Sequence, residues 1–458
     1  MNDTLHSIAC SWCSSDSKIH PTAEILDWIR QRNAGTAVEI RKISLEDCSP
    51  WFYDRIEGCI RNQTRSFFSI IGYKTPNFQQ PIILQKEIGY LGIICQEIDG
   101  VMHFLMQAKI EPGNLNCVQI SPTIQATKSN FTQKHGGQRP PYLDYFLNSG
   151  KYEIVVDQIQ SEQSSRFYKK RNRNIIIRAE EDIPLLPSHR WMTLGQIKRL
   201  MQEDNAVNMD TRTVLSCIPF SKLNLLPTEL LGLSDSFSDK PLFRSLFIGE
   251  RTNSLPRVYQ YINNQKMFMK EHLPLVPLDQ LEEWEMRDRE FLCKRPYPFK
   301  VVFCDITIEG REVRRWTQPL LEATGVATFG LICCEDGGLL KFLVRATPEV
   351  GCFDGLELGP TIQQDAIEGS QTEDIITRFF WEHLKSGSGV WFDHLLSEEG
   401  GRFYHEQNRN VLLRVSRSEL PSLPDGYFLL DYRTLNELVQ VNNTLNIQLR
   451  NLLSLLEA

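Results

Sequence analysis

Short runs of apolar and β-branched residues recur along the chain, and they predict strands more often than helices. Runs of this kind occupy residues 82–84, 89–95, 101–109, 152–158 and 174–178. The pair Asp99-Gly100 separates two of them and is a strong signal for a tight hairpin turn. Asp336-Gly337 stands at the corresponding place later in the chain and predicts a second hairpin there.

Helical signals are fewer but specific. Residues 24–32 have the pattern of an amphipathic helix. Thr193 with Gln196, and Thr434 with Glu437, have the spacing of a capping box, in which the two side chains satisfy two backbone amides at a helix start. Each threonine is therefore predicted to begin a helix. Helices placed among many short strands predict the α+β class.

The chain contains an internal repeat. Residues 166–178 have the sequence RFYKKRNRNIIIR and residues 402–414 have RFYHEQNRNVLLR, with seven of 13 positions identical. The string PTIQ also occurs twice, after Ser121 and after Gly359. Such self-similarity indicates a duplicated unit.

The offset between repeated motifs stays close to 238 residues, so the two copies keep their register. We predict an N-terminal extension plus first module over residues 1–217, a connecting segment over 218–275, and a second module over 276–458. The connecting segment is rich in Pro and Ser, as linkers often are. Within each module a long stretch, residues 112–138 in the first, has little periodicity and is predicted to be a functional loop.

Composition narrows the function. The chain has 458 residues, 41% hydrophobic and 23% charged, and no apolar run long enough to span a bilayer. Its net charge of −7 does not attract a nucleic acid, which is itself negatively charged. Any phosphate group must therefore be bound by a local cluster of basic side chains. The N-terminus shows no secretory signal, and the 12 cysteines are scattered as in reduced cytosolic proteins. Cys10 and Cys13 form a lone CxxC, so structural zinc is disfavoured. We therefore expect a cytoplasmic protein with no membrane and no nucleic-acid partner.

Several long motifs resemble a known family. The strings QAKIEPGN, VQISPTIQATKSNFT, QSEQSSRFYKKRNRN, WMTLGQIKRLM and VNMDTRTVLS resemble the NDP-hexose 2,3-dehydratases of deoxysugar biosynthesis. The resemblance covers nearly the whole chain. It departs from the family pattern at Phe131, where tyrosine is usual, and at Ser164-Ser165, where glycine is usual.

The resemblance implies two tandem Nudix-like modules, a domain-swapped homodimer, and two dTDP pockets per chain of which one is active. It implies loss of water across C2 and C3 of dTDP-4-keto-6-deoxyglucose, giving a 2,6-dideoxy-3,4-diketo sugar nucleotide. An NADPH-dependent 3-ketoreductase would consume this unstable product. The sequence has no carboxylate-rich Nudix box, so magnesium-dependent pyrophosphate hydrolysis is disfavoured.

This elimination needs no redox step, so we expect no cofactor and no metal. It needs a base for the C3 proton and donors for the enolate oxygen. Lys109 and Glu111 are two residues apart in a predicted strand and share a face, so they can form either an acid–base pair or an ordinary ion pair. His135 in the long loop is a third catalytic candidate, and the alternative for it is a solvated side chain.

Candidate substrate-binding residues come from both copies. Lys170, Arg166 and Arg173 form a basic cluster suited to a diphosphate, or a solvated turn. Trp51 and Trp284 occupy equivalent positions and are either core residues or platforms for thymine. The resemblance adds a further set: Thr127, Lys128, Ser129, Asn130, Phe131 and Ser161 for one pocket, and Arg345, Thr361, Ile362, Gln363, Arg402, Phe403, Tyr404 and His405 for the other.

Two other functions remain open from the sequence. One is a duplicated nucleotide-sugar-binding protein without turnover, and the other is a Nudix-type pyrophosphohydrolase. Lys109 is replaced by Thr347 in the second copy while Glu111 is matched by Glu349. A protein that only binds the nucleotide sugar has no need of acid–base groups such as Lys109, and this favours the dehydratase.

Overall fold

The computed structural model describes residues 1–133, 137–250, 253–269, 274–311, 313–367 and 374–458. Strands and helices alternate irregularly along these residues, so the predicted α+β class is confirmed. Among the described residues, none of the helices combines the length and the apolar character that crossing a bilayer requires.

We call residues 1–217 the first half and residues 276–458 the second half. The helices of the first half are α1 (Asn2–Trp12), α2 (Thr22–Ala34), α3 (Lys128–Phe131), α4 (Leu143–Leu147), α5 (Leu194–Leu200) and α6 (Met209–Ser216). Its strands are β1 (Val38–Ile43), β2 (Trp51–Asp54), β3 (Cys59–Asn62), β4 (Ser69–Thr75), β5 (Phe78–Leu84), β6 (Gly89–Ile98), β7 (Val101–Ile110), β8 (Val118–Ser121), β9 (Ile124–Ala126), β10 (Glu153–Ser161), β11 (Arg171–Arg178) and β12 (His189–Met192).

The connecting stretch and the second half follow. The stretch contains the helices α7 (Pro227–Ser236), α8 (Lys240–Phe247) and α9 (Leu255–Phe268). The strands after it are β13 (Leu275–Val276), β14 (Trp284–Arg287), β15 (Glu290–Cys293), β16 (Phe299–Ile308), β17 (Arg315–Ala323), β18 (Thr328–Asp336), β19 (Leu339–Pro348), β20 (Leu356–Gly359), β21 (Ile362–Gln364), β22 (Val390–Ser397), β23 (Phe403–Tyr404), β24 (Gln407–Val415) and β25 (Tyr427–Asp431). The last helices are α10 (Ile375–Ser386), α11 (Tyr432–Val439) and α12 (Ile447–Ser454), and 3-10 turns lie at Ser149–Lys151, Phe220–Lys222 and Leu278–Gln280.

Two seven-stranded sheets, one in each half, have the same connectivity. In the first, the order is β10-β11-β6-β7-β12, with β8 paired to β7 and β9 paired to β6. In the second, β22-β24-β18-β19-β25 follow one another, with β20 on β19 and β21 on β18. In the part of the chain that the structure describes, each sheet has a single parallel pair of neighbouring strands. This pair is β6 with β11 in the first sheet and β18 with β24 in the second. The repeated sequence thus folds into a repeated sheet.

The two smaller sheets exchange strands between the halves. Strand β1 of the first half pairs antiparallel with β16 of the second. In return, β13 pairs antiparallel with β4. One hydrophobic cluster also contains residues of both large sheets, such as Phe104 and Phe342. The two halves therefore share core and sheet edges.

Two loops lock the halves together at short range. The Gly113 amide donates to the Gly400 carbonyl at 2.7 Å, and the Gly351 amide donates to the Ser164 carbonyl at 2.8 Å. A Cβ at Gly113 would lie 1.5 Å from the Phe403 carbonyl oxygen, and one at Gly351 would meet the Phe167 oxygen at 1.8 Å. Only glycine allows this approach, which explains why both copies retain it.

Most local predictions are confirmed. Asp99 and Gly100, both with positive φ, join β6 to β7. In the second hairpin Asp336 ends β18, and Gly337 and Gly338 form the turn one residue later than predicted. The amphipathic helix over 24–32 corresponds to α2, and the runs at 152–158 and 174–178 correspond to β10 and β11.

The two capping boxes have different outcomes. Thr193 caps α5, and its side chain accepts from the Gln196 amide at 3.1 Å while Gln196 accepts from Thr193. The second prediction is wrong, because α11 begins at Tyr432 and its N-cap is Asp431. The Asp431 carboxylate accepts the Thr434 amide at 2.9 Å, so an acidic cap three residues earlier satisfies the same backbone group.

Two segments are more regular than predicted. Residues 112–138 contain β8, β9 and α3 as well as loops. The connecting segment contains three helices, and Leu242 and Leu246 of α8 are fully buried in the shared core. The amphipathic pattern of these helices is short and interrupted by Pro and Ser, so the composition suggested a linker.

One buried lysine belongs to the same core. Lys198 of α5 donates to the Ser454 carbonyl at 2.6 Å, and its Nζ lies 4.3 Å from the centre of the Trp12 ring. Counted from the N-caps Thr193 and Asp431, the corresponding residue of α11 is Asn436, which is also buried. The helix position therefore carries a neutral amide in one half and an ammonium group in the other.

Candidate active site

A cavity of about 780 Å³ opens where the two halves meet. This volume lies in the range of small-molecule sites. The first half contributes the end of β7, strand β9 and the start of α6, and the second half contributes Arg311, Glu399 and Arg402. We call it the first cavity. Its walls mix both copies within a single chain because the loops at Gly113 and Gly400 dock against each other.

Lys109, Glu111 and Arg311 form a buried ionic cluster in the cavity wall. Lys109 Nζ lies 2.9 Å from Glu111 Oε1 and also donates to the Gln125 carbonyl at 2.9 Å. Arg311 Nη1 approaches the same carboxylate oxygen to 3.2 Å. Burial alone would raise the pKa of Glu111, but the two cations lower it to about 2. Glu111 is therefore ionised at neutral pH, and the predicted shared face of Lys109 and Glu111 is confirmed.

Among the other carboxyl groups that line the same cavity, three have raised pKa values: Glu162, Asp210 and Glu399. Burial, and then repulsion from Glu399, raises the pKa of Glu162 to about 7. Burial and both glutamates raise the pKa of Asp210 well above its ordinary value. Burial likewise raises the pKa of Glu399, although Arg402 opposes the shift. Perturbed carboxyls in a cleft are a common mark of acid–base sites.

Hydrogen bonds hold these groups in place. Glu162 accepts from Asn172 Nδ2 at 2.7 Å, and Glu399 accepts from the Gly401 amide at 2.7 Å. Lys170 donates to the Glu87 carbonyl. Burial lowers the pKa of the Lys170 ammonium to about 8, against the attraction of Glu162. The cavity thus holds groups that can give or take a proton near neutral pH.

Sequence reasoning singled out none of the three carboxyls. They lie 48 to 237 residues apart in the chain, so no spacing links them. A signal did exist in the repeat, because Asp210 aligns with Gln448 and Glu399 aligns with Gln163.

The structure brings several predicted residues to the first cavity. Those that line it are Lys109, Glu111, Trp51, Thr127, Ser129, Asn130, Lys170 and Arg402. Trp51 is largely buried, and its Nε1 donates to the Thr317 carbonyl at 2.8 Å. Its ring packs on Phe68, with centroids 4.7 Å apart. Trp51 therefore belongs to a core cluster and also forms part of the cavity wall, and its role as a platform for thymine stays a prediction.

Lys128, Phe131 and Arg173 line a neighbouring cavity of about 650 Å³, which shares Gly89 and Tyr90 with the first. Arg173 is bound to Asp157 by two short hydrogen bonds of 2.7 and 2.6 Å. His135 lies outside the described residues.

Other candidates are used within the fold. Trp284 is buried among aromatic rings, and its Nε1 donates to the Gln79 carbonyl at 3.3 Å. Thr361 Oγ1 accepts the Ile332 amide at 2.9 Å, as Thr123 does for Ile94 in the first half. The threonine of PTIQ is thus retained because it fixes the sheet.

Six more candidates also lie away from the first cavity's walls. Ser161 donates to Glu357 at 2.7 Å, and Arg166 stacks over Phe299 with its Cζ 4.3 Å from the ring centre. Ile362 and Phe403 are core residues. Tyr404 stacks on His405 at 4.2 Å, and the His405 amide donates to the Gly113 carbonyl at 2.9 Å. These contacts account for the repeated RFY motif as a connection between the halves.

Gln363 and Arg345 lie in the second half where Gln125 and Gln107 lie in the first. Gln363 donates to Glu349 and accepts from Asn446 at 3.0 Å. Asn208 makes the same 3.0 Å contact with Gln125. Glu398 corresponds to Glu162 in the same way. Each carboxylate accepts a hydrogen bond of 2.7 Å from the asparagine ten residues later in the chain, Asn408 for Glu398 and Asn172 for Glu162.

The polar groups around these shared contacts differ between the halves. Lys109, Lys170, Asp210 and Glu399 of the first cavity correspond to Thr347, Glu406, Gln448 and Gln163. Within the described residues, no group of three or more His, Cys, Asp or Glu side chains is arranged to hold a metal ion.

Comparison with known proteins agrees with this architecture. A profile of the NDP-hexose 2,3-dehydratase family matches residues 22–218 and 255–456. A dTDP-4-dehydro-6-deoxy-alpha-D-glucopyranose 2,3-dehydratase of Saccharopolyspora spinosa is 37% identical over 447 residues, covering 96% of this chain and 92% of the relative. Proteins of the same name from Amycolatopsis orientalis (32% identical; 100% and 94% covered) and Streptomyces violaceoruber (33% identical; 95% and 97% covered) are also similar. This chain belongs to the NDP-hexose 2,3-dehydratase family.

Proposed function

We propose that this protein removes water across C2 and C3 of dTDP-4-keto-6-deoxyglucose, giving the 2,6-dideoxy-3,4-diketo sugar nucleotide. Family membership over nearly the whole chain supports the reaction class. The observation that carries the assignment to this structure is the first cavity itself. It sets a buried ammonium group against carboxyls whose pKa values are raised by burial and by one another, that of Glu162 to about 7.

The chemistry explains why such a set is useful. The C4 ketone makes the C3 proton acidic, provided that the enolate oxygen is stabilised. Lys109 is paired with Glu111 at 2.9 Å, and an ammonium group beside a developing enolate contributes a few kcal/mol in the transition state. Because Glu111 stays ionised between two cations, we assign it a positioning role rather than proton transfer.

Glu162 is the group that we assign to the C3 proton. Its pKa of about 7 leaves much of it ionised at neutral pH, and it remains a strong enough base. Asn172 and the Gln163 amide fix its two oxygens, at 2.7 and 3.2 Å. A fixed carboxylate of this basicity suits abstraction next to a ketone.

The nucleotide needs cations and an aromatic wall. Arg402, Arg315 and Lys170 line the first cavity and suit the diphosphate, and Trp51 suits the thymine ring. Thr127, Ser129 and Asn130 add hydrogen-bond donors from the start of α3. The second dTDP pocket that the resemblance implies is proposed around Arg345 and Gln363.

We also propose that the two sheets are Nudix-like modules that arose by duplication, with boundaries near 217 and 276. The matching strand connectivity supports this proposal. A homodimer in the cytoplasm, no metal or redox cofactor, and a downstream NADPH-dependent 3-ketoreductase complete it. Strand exchange within one chain already mixes the copies, so no swap between subunits is needed to build the first cavity.

Incubation with dTDP-4-keto-6-deoxyglucose tests the proposal. Mass spectrometry should show loss of one water, and a 3-ketoreductase with NADPH should trap the product. Treatment with EDTA should leave the rate unchanged. Binding without turnover would favour the duplicated binding protein instead, and release of dTMP would favour a hydrolase.

A further inference from the structure

Asp210 has no structural duty that accounts for it. It is the second residue of α6, lines the first cavity and is 1% exposed. Asn208 caps the helix by accepting the Thr211 amide at 2.8 Å, so Asp210 is not needed there. Within the described residues, its Oδ1 has no hydrogen-bond partner. A buried unpaired oxygen costs free energy, so its retention points to a role toward a ligand.

The surroundings of Asp210 decide its proton state. Glu162 and Glu399 approach from the two halves, with Glu111 farther along the same wall and Lys109 as the opposing cation. Carboxyls that share a buried site cannot all be ionised at once. Asp210 is the one of the set that is left without a donor to stabilise its negative form, so it carries the proton.

The second half provides an internal comparison. Gln448 occupies the same position of α12, where Asn446 caps the helix at 3.0 Å as Asn208 does in α6. Gln448 is also buried, and within the described residues neither of its polar side-chain atoms has a hydrogen-bond partner, but an amide cannot transfer a proton. The helix start has therefore been preserved while the proton carrier differs.

We propose that Asp210 is the general acid that protonates the departing C2 hydroxyl. This inference rests on the proposed dehydration. Glu162 takes the C3 proton, the electrons pass through the C4 enolate into a C2–C3 double bond, and the C2–O bond breaks. The hydroxyl leaves as water with the Asp210 proton.

The same groups restore themselves. The product of this step is an enol at C3. The Asp210 carboxylate takes the C3 hydroxyl proton while Glu162 returns its proton to C2, which gives the 3,4-diketone. Both carboxyls end in their starting states, and the net change is loss of one water.

The test compares Asp210→Asn with Glu162→Gln, and Gln448→Asn is the control at the matched helix position. Thermal melting and dTDP calorimetry establish that each variant is folded and binds. Asp210→Asn should lower kcat by about a hundredfold or more, the usual range for a lost general acid. Gln448→Asn should remain within a few-fold of the parent.

Two further readouts separate an acid from a base. In D2O, Asp210→Asn should still exchange the C3 hydrogen for deuterium, whereas Glu162→Gln should not. A substrate with fluorine in place of the C2 hydroxyl releases fluoride without needing a proton, so Asp210→Asn should turn it over at close to the parental rate. Glu162→Gln should fail with both substrates.

Near-parental water loss by Asp210→Asn would overturn the inference. It would also be overturned if Asp210→Asn lost the C3 exchange and failed to turn over the 2-fluoro substrate. If Asp210→Asn does not fold, Asp210→Gln, which copies the second half, replaces it with the same readouts. Failure of the parental enzyme to dehydrate the sugar would instead overturn the proposed function.

Discussion

Glu111 and Glu349 occupy equivalent places in the two halves, yet their surroundings favour opposite proton states. Lys109 and Arg311 hold the pKa of Glu111 at about 2 against the effect of burial. Burial raises the pKa of Glu349 to about 7, and Gln363 only partly opposes it. The backbone around both is the same. What distinguishes the halves is therefore the set of charges that converge on a shared frame, and this set is the reason that we propose the first cavity as the site of the chemistry.

The sharpest test of this contrast is to give the first half the second half's residue. Lys109→Thr, or Lys109→Met, should lower kcat by about a hundredfold or more while dTDP binding barely changes, because the enolate loses its cation only in the transition state. Thr347→Met at the matched position should have little effect. Weaker dTDP binding with kcat retained would mean a phosphate role, and a lower Tm with normal chemistry would mean a structural ion pair.

The pH profile should report the carboxyls of the first cavity. Glu162 must lose its proton to act as a base, so kcat/KM should fall about tenfold per pH unit below pH 7 and level off above it. Glu399, Lys170 and Arg450 also act on this group and shape the profile. In Glu162→Gln the residual rate should show no such limb. An acid limb that persists in Glu162→Gln would assign it to another residue.

Binding should be less asymmetric than catalysis. Calorimetry with dTDP should give two sites per chain of unequal affinity, because repeated residues such as Gln125 and Gln363 occur in both halves. Lys170→Glu, which copies Glu406, should weaken only the stronger site, by roughly tenfold for a lost charged contact. A single site in intact protein would contradict the second pocket.

The smallest expected effect concerns Lys198. Burial lowers its pKa to about 7, whereas the unfolded chain keeps the ordinary value of 10.5. Below pH 7 the ammonium is charged in both states and its burial cost is fully present. As pH rises from 7 to 10.5, the unfolded chain holds more protons than the folded one, so stability increases.

Lys198→Met, which keeps the length of the side chain and removes its charge, should therefore raise Tm by a few degrees at pH 6, about the shift expected for 1–2 kcal/mol in a chain of this size. The gain should shrink as pH approaches 10. Melting curves across this range decide the matter, and a gain that does not depend on pH would show that packing alone is responsible.

Local signals made much of the fold predictable. The Asp99-Gly100 hairpin and the Thr193 capping box depend on residues a few positions apart, and both are confirmed. The prediction that Thr434 begins a helix failed because the Asp431 side chain accepts from the Thr434 amide. Sequence spacing does not show which of two possible N-cap residues is used. The pairing of Lys109 with Glu111 followed from strand geometry.

The rest of the site depends on contacts between distant residues. Glu399 and Arg311 meet Lys109 only because the halves exchange strands and loops, and no local pattern encodes that exchange. Asp210 reaches the same cavity from α6 of the first half. Trp51 and Trp284 look alike in the repeat, but one reaches a cavity wall and the other is enclosed by aromatic rings. Burial of this kind is a property of the assembled chain.

The reciprocal docking of Gly113 and Gly351 has a consequence for how the protein can be divided. If the chain is cut within residues 218–275, neither fragment contains a complete set of cavity walls. Two separately expressed fragments should be inactive alone and should regain activity on mixing, as in a split reporter. The second half is thus required for activity whatever chemistry it retains, because it supplies Arg311, Glu399 and Arg402 to the walls of the first cavity.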